Sequence, residues 1–337
     1  MRAYSNKTSL EWVTLQAALV MPGLVLQKPH AKAGSKEFSG HLARRLDLWK
    51  AGKIMELLDE VPTIQSRLPE WDRKSGITAQ RLKRRFAFLI GRGDISLVTE
   101  HGKGVLELTP EVRSMLKEKH PPAQLTNPEV LMHGELPSVN PIVFDELTVD
   151  TVRRAALATH GAAGPSMANS YVWRRILVSF TAASRDLCDA VAGVARRLAT
   201  EHVDPACLLF LLNNRLIPLD KDPGIRPVGV GEVLRRIIGK SILMIIKRDV
   251  MPAAGVAQVC VGHSAGCEAA IHALRQMSEA VATDGVLLVN AENTFNRLNR
   301  AVALHNIQYT CPACDHSYQL LSLTNSSVSD WRDGALI

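Results

Sequence analysis

The sequence has no apolar run near the ~18 residues that a membrane-spanning helix requires, so no segment is expected to cross a bilayer and no membrane partner is expected. It has no internal repeat, and no low-complexity tract beyond one early basic stretch, which argues against solenoids and arrays. Cysteine is sparse, with six residues at 188, 207, 260, 267, 311 and 314. Four of these sit in apolar or helical contexts where a free buried thiol is the ordinary outcome, so a reducing, intracellular compartment, nuclear or cytoplasmic, is expected. The apolar stretch from Val13 to Leu26 does not fit a secretory signal: Glu11 spoils its charge pattern, Pro22-Gly23 interrupts it, and no small-residue cleavage site follows.

The composition that remains is that of a folded protein, 46% hydrophobic and 22% charged over 337 residues, long enough for two domains. Its charge is unevenly placed. Residues 1–100 carry 17 Lys and Arg against 10 Asp and Glu, which accounts for the whole net charge of +7, and the rest is neutral. A polyanionic partner is therefore expected to meet the N-terminal part first.

Residues 27–39 are Lys, Ala, Gly, Ser and His with few apolar residues, so residues 1–40 are expected to form a basic flexible arm. Residues 41–128 are expected to be a mainly helical region: His41 to Val61 has helical apolar spacing, and Ala79 to Ile90 is a second helix carrying Arg81, Lys83, Arg84 and Arg85. A short hairpin around His101 to Gly104 and a helix capped by Thr109-Pro110 follow. The Pro- and Asn-rich stretch 120–128 reads as an internal boundary. Beyond it, residues 152–159, 172–178 and 183–200 are expected to be helices, with the loop Gly161 to Ser166 between the first two.

Arg215 to Lys221 and Ile225 to Val230 read as two strands joined by Asp222-Pro223-Gly224, a turn whose residue types preset the backbone. That hairpin leaves Lys221 and Arg226 flanking its tip, where two fixed cations can grip a triphosphate. Gly231 to Val250 reads as one helix. At 100° per residue, Glu232, Arg235, Arg236, Lys240 and Lys247 share roughly 140° of arc, opposite an Ile-rich face. Such a stripe is expected to face solvent and suits a nucleic-acid backbone. Gly285 to Val289 is a wholly apolar run, the pattern of a strand buried on both faces, and polar residues begin where it ends, at Asn290.

In order and spacing, these segments resemble the reverse transcriptases of retroelements. Gly164-Pro165-Ser166 looks like the family's early Gly-Pro element. Ile217-Pro-Leu-Asp-Lys221 with Arg226-Pro-Val228 resembles the fingers hairpin, and Arg235-Arg-Ile-Ile-Gly-Lys240 the helix after it. Gln258 to Ala269, with Gly262, Ser264 and Gly266, is similar to the next, template-side motif, and Val286 to Phe295 to the first palm motif. The resemblance covers about 150–303, with weaker similarity toward 337. It implies an α+β fold, a partial right-hand polymerase with fingers and the start of the palm over 140–337, preceded by the basic helical region. It further implies Mg²⁺ in the family and RNA or DNA template and primer as nonspecific partners. Residue by residue, it implies triphosphate contacts at Lys221 and Arg226, a ribonucleotide-excluding gate at Phe295, and nucleic-acid contacts at Arg235, Arg236 and Lys240.

Two departures bear on activity. Asn290 stands where the family has its first metal-binding aspartate, and the chain is expected to end before the motif with the aspartate pair; no two aspartates are adjacent anywhere in it. Two-metal phosphoryl transfer needs anionic oxygens to hold the cations, and a neutral amide supplies none. No cofactor is therefore expected for this chain, and the reading is a truncated, inactive RNA-directed DNA polymerase homologue. The alternatives are a non-catalytic nucleic-acid-binding protein derived from a retroelement, and a decayed reading frame without a selected role.

Two other patterns point to different chemistry. Cys311-Pro-Ala-Cys314 with His305 and His316 offers four zinc ligands, but a second Cys pair at finger spacing is missing, so no zinc is expected. Gly262-His-Ser-Ala-Gly266 matches the nucleophile-elbow pattern of serine hydrolases, yet little chain follows it to build the sheet and supply acid and histidine.

Overall fold

The computed structural model describes residues 17, 20–21, 24–26, 29–30, 34–67, 106–120, 122, 125–166, 168–204, 208–221, 224–255, 258, 264–280, 285, 287, 289, 294–315, 328–330 and 335–336. Helices dominate, with one small sheet.

The first packing unit is a helical hairpin of α1 (Ser35–Lys50) and α2 (Ile54–Arg67). The single helix expected from His41 to Val61 is instead two, and α1 begins at Ser35, inside the stretch expected to be flexible. Gly52 is the reason for the break: at φ +71° it takes the left-handed conformation that ends a helix and that other residues resist. Leu57 packs with Leu24, Val25, Leu42, Leu46 and Trp49, so part of the expected arm is in this core as well. Glu60 binds Arg44 at 2.6 Å and lies 3.4 Å from buried Arg45.

The expected helix at 79–90 and the 101–104 turn lie outside the described residues. Thr109 caps α3 (Pro110–Glu118) as its sequence suggests, its hydroxyl accepting from the Val112 N–H at 3.3 Å. The 120–128 stretch does not separate two packing units: Leu116 of α3 is buried against Leu216 and Ile225, and the Leu106 N–H donates to the Pro218 carbonyl at 2.9 Å.

The main core is a bundle of α4 (Val149–Ala158), α5 (Ser170–Val178), α6 (Thr181–Thr200), the short α7 (Leu209–Leu212) and α8 (Val233–Ala253). Val152, Ala155 and Ala156 of α4 meet Trp173 and Leu177 of α5, Val191, Val194, Ala195 and Leu198 of α6, and Leu234, Ile237, Ile238, Ile242 and Ile246 of α8. Small residues on α4 and α6 permit close helix approach, while the Ile stripe of α8 fills the centre; each fully buried Leu or Ile contributes about 1.5–3 kcal/mol.

Between α7 and α8 stands the expected hairpin, β1 (Asn214–Asp220) antiparallel to β2 (Ile225–Gly231), with Leu219 opposite Arg226 and Asn214 opposite Gly231. Gly224, at φ +99°, makes its turn possible. Then come α9 (Gly266–Ser278), α10 (Thr294–Arg297) and α11 (Arg300–Thr310). Two short strands, β3 (Val328–Asp330), parallel to β1, and β4 (Ala335–Leu336), complete a sheet of order β2-β1-β3-β4.

The strand expected at 285–289 is not formed at its described positions. Leu287 and Val289 are 86% and 82% exposed. An apolar run becomes a buried strand only when neighbouring strands take its N–H and C=O groups, and no described strand lies beside it.

Candidate nucleotide and nucleic-acid interface

The two strands of the hairpin define its two faces, because residues opposite each other across an antiparallel pair share a face. Leu216 and Ile225 lie on the face covered by α3. The other face carries Leu219 beside Arg226, with Ile217 beside Val228 and Arg215 beside Val230. Arg226 is exposed there, and Lys221, exposed just after β1, closes the turn with its N–H donating to the Gly224 carbonyl at 3.2 Å. The structure therefore brings Lys221 and Arg226 together at one solvent-facing tip. Asn290 lies outside the described residues, and Phe295 is placed only as backbone within α10, so neither enters this geometry.

The stripe at the start of α8 is arranged differently from the solvated face its periodicity suggests. Lys240 Nζ donates to the Ala158 carbonyl at 2.8 Å, and the Arg236 guanidinium donates to the His160 carbonyl at 2.8 Å and to the Ala162 carbonyl. Arg174 of α5 adds bonds to the Leu157 carbonyl at 3.1 Å and the Thr159 carbonyl at 3.4 Å. These carbonyls are the unsatisfied acceptors at the carboxyl end of α4 and in the loop after it, where the helix dipole also favours cations. Three cations from two other helices thus crown α4. Arg235 turns the other way, donating to the Leu212 carbonyl and to Asn214 Oδ1, each at 2.9 Å.

Glu232, counted with this solvated stripe from its spacing, is only 1% exposed. Its carboxylate accepts from the Ser166 N–H at 2.6 Å and from the Ser166 hydroxyl at 2.7 Å, joining residues 66 apart in sequence. The Gly164-Pro165-Ser166 loop is seated directly on the β2–α8 junction: a β-carbon on Gly164 would lie 2.7 Å from the Glu232 nitrogen and 2.8 Å from the Gly231 carbonyl carbon. A β-carbon on Gly231 would collide with the Arg235 guanidinium, so this glycine opens the path by which Arg235 reaches Asn214. Burial lowers the pKa of Arg235 and Arg236, Glu232 opposes that shift in both, and Arg235 is lowered further by Arg236. Both guanidiniums stay charged, since an arginine side chain does not deprotonate in proteins.

Arg174, Asn214, Gly231 and the buried role of Glu232 are the site residues that sequence reasoning missed. A glutamate directly before a helix and after Gly231 was the available signal, but nothing local showed that a loop 66 residues away would cover it.

In the Gly262 to Gly266 segment, Ser264 is exposed just before α9, while Gly262 and His263 lie outside the described residues. His305 bonds the Met132 carbonyl through Nε2 at 2.8 Å, which places it in the contact between α11 and the 128–133 segment. Among the described residues no group of three or more His, Cys, Asp and Glu is placed to hold a metal ion, and no helix is long and apolar enough to cross a membrane. No protein-family model matches the sequence, and comparison with curated proteins and with solved structures gives no match.

Proposed function

We propose that this chain is a reverse-transcriptase-like protein of retroelement origin whose hairpin tip, Lys221 and Arg226, meets the phosphates of a nucleotide or a nucleic-acid strand, and which does not polymerise. One observation carries the reading: Gly164-Pro165-Ser166 is seated on Gly231-Glu232, so three segments that support the resemblance, the early loop, the hairpin and the helix after it, form one packed unit. Within that unit Arg236 and Lys240 hold α4 in place, and Arg235 braces the base of the hairpin. The phosphate-facing role falls to the exposed Lys221 and Arg226, whose charges can form forked, charge-assisted hydrogen bonds to phosphate oxygens. Phe295 remains the proposed gate beside the nucleotide sugar.

The lack of polymerisation rests on chemistry. Two divalent cations must be held between the attacking oxygen and the triphosphate, and Asn290 offers a neutral amide where the family has a carboxylate. Labelled-nucleotide incorporation on a primed template with Mg²⁺ or Mn²⁺ tests this. No template-dependent extension is expected from the chain or from Asn290→Asp, because the sequence has no adjacent aspartate pair to supply the further carboxylates that hold the cations; clear extension by either would overturn the reading. A non-catalytic nucleic-acid-binding role is the second reading, favoured by the exposure of Lys221, Arg226, Lys247 and Arg248.

A further inference from the structure

We propose that Cys311 and Cys314 form a dithiol site that closes to an intramolecular disulfide by exchange with a low-molecular-weight disulfide such as oxidised glutathione. The turn that ends α11 already brings the two sulfurs together. The Cys311 N–H donates to the Ile307 carbonyl at 2.8 Å, Pro312 opens a 3-10 turn, and the Cys314 N–H donates back to the Cys311 carbonyl at 2.8 Å. The sulfurs lie 3.1 Å apart, so the S–S bond of about 2.05 Å needs an approach of only about 1 Å. Cys188, by contrast, is held inside the bundle with its thiol donating to the Leu177 carbonyl at 3.2 Å.

Cys311 is buried and Cys314 is partly exposed, so the reagent must enter at Cys314. The Cys314 thiolate attacks one sulfur of oxidised glutathione and expels a glutathione thiolate, leaving a mixed disulfide. The Cys311 thiolate then attacks the Cys314 sulfur, forming the intramolecular bond and releasing the second glutathione. Two electrons pass from the pair to the reagent, and the two thiol protons end on the released glutathiones. Burial, the hydrogen bond to Cys311 and the carboxylate of Asp249 all push the Cys314 thiol up, so the first step is slow while the neutral disulfide escapes that penalty. The turn also forms part of a cleft of about 240 Å³, lined by Pro312 and Asp315 with Leu136, Phe144 and Gln308, so closure would stiffen one wall of it.

The test is a peptide map of the full chain after equilibration with oxidised glutathione at mildly alkaline pH, acid quenching and alkylation. The expected product has 311 and 314 unalkylated and a peptide lighter by two hydrogens, restored by dithiothreitol. Asp249→Asn should speed closure severalfold, and Cys314→Ser should leave Cys311 open to alkylation under denaturing conditions. Should that variant fail to fold, the unmodified chain decides the matter by itself. Full alkylation of both cysteines after equilibration, a persistent glutathione adduct on Cys314, or one chelator-removable zinc per chain protecting both thiols would overturn the proposal.

Discussion

Gly164 and Ser166 show how tightly single residues define this site. With the Glu232 backbone 2.7 Å from where its β-carbon would be, Gly164→Ala must push the loop off the β2–α8 junction, at a cost of about 1–3 kcal/mol. Ser166→Ala removes the hydroxyl bond and leaves a buried carboxylate oxygen short of a donor, costing about 1–3 kcal/mol. Urea unfolding measures both, and an unshifted midpoint for either would contradict the described packing. The sequence marked Gly164 to Ser166 as a motif but could not reveal its partner, because burial of Glu232 comes from a segment 66 residues away. The same limit applies to Arg236 and Lys240, whose helical spacing shows which face they share but not that α4 presents its carbonyls to that face. Arg236→Ala is accordingly expected to lower stability by about 1–3 kcal/mol. In nucleic-acid titrations it should leave the dependence of log affinity on log salt almost unchanged, whereas loss of a phosphate contact would reduce that slope by about 0.7–0.9.

At the scale of elements, the sequence was most legible where amphipathic spacing, caps and turn residues agree. The helices α3, α4, α5, α6 and α8 and the β1–β2 hairpin all lie within a few residues of expectation, since Thr109-Pro110 and Asp222-Pro223-Gly224 are local signals. Elements that depend on neighbours were less legible: Leu287 and Val289 have strand-like sequence but no described sheet partner. The α1–α2 hairpin carries its own pH signature. Burial raises the Glu60 carboxyl, but hydrogen bonds and charge from Arg44 and Arg45 outweigh this and hold its pKa below the ordinary value. A folded-state pKa below the unfolded one stabilises above the unfolded pKa, and that contribution is lost as pH falls through the folded pKa. Amide protection factors across α1 and the start of α2, exchange being referred to the intrinsic rate at each pH, should therefore fall under acid, and Glu60→Gln should show lower protection at neutral pH and lose most of this acid response. Equal pH responses in the two proteins would contradict the assignment.

Across the whole molecule, a bundle anchored by the Ile stripe of α8 supports a hairpin whose inner face rests on α3 and whose tip presents Lys221 and Arg226 to solvent. The loop at 164–166, the β1–β2 hairpin and α8 are neighbours in space, braced by Glu232, Arg235 and Arg236. The proposed function requires that this braced tip meet phosphate. Its most direct measurement is the affinity of the full chain for a deoxynucleoside triphosphate with Mg²⁺, followed by photocrosslinking with an azido analogue and compared with a Lys221→Ala, Arg226→Ala double variant of unchanged unfolding midpoint. Each charged hydrogen bond is worth about 1.5–3 kcal/mol, so the double variant should bind at least about tenfold more weakly and lose the crosslink in 214–231. Equal affinity in the two proteins, or a crosslink that maps elsewhere and persists in the variant, would contradict the account.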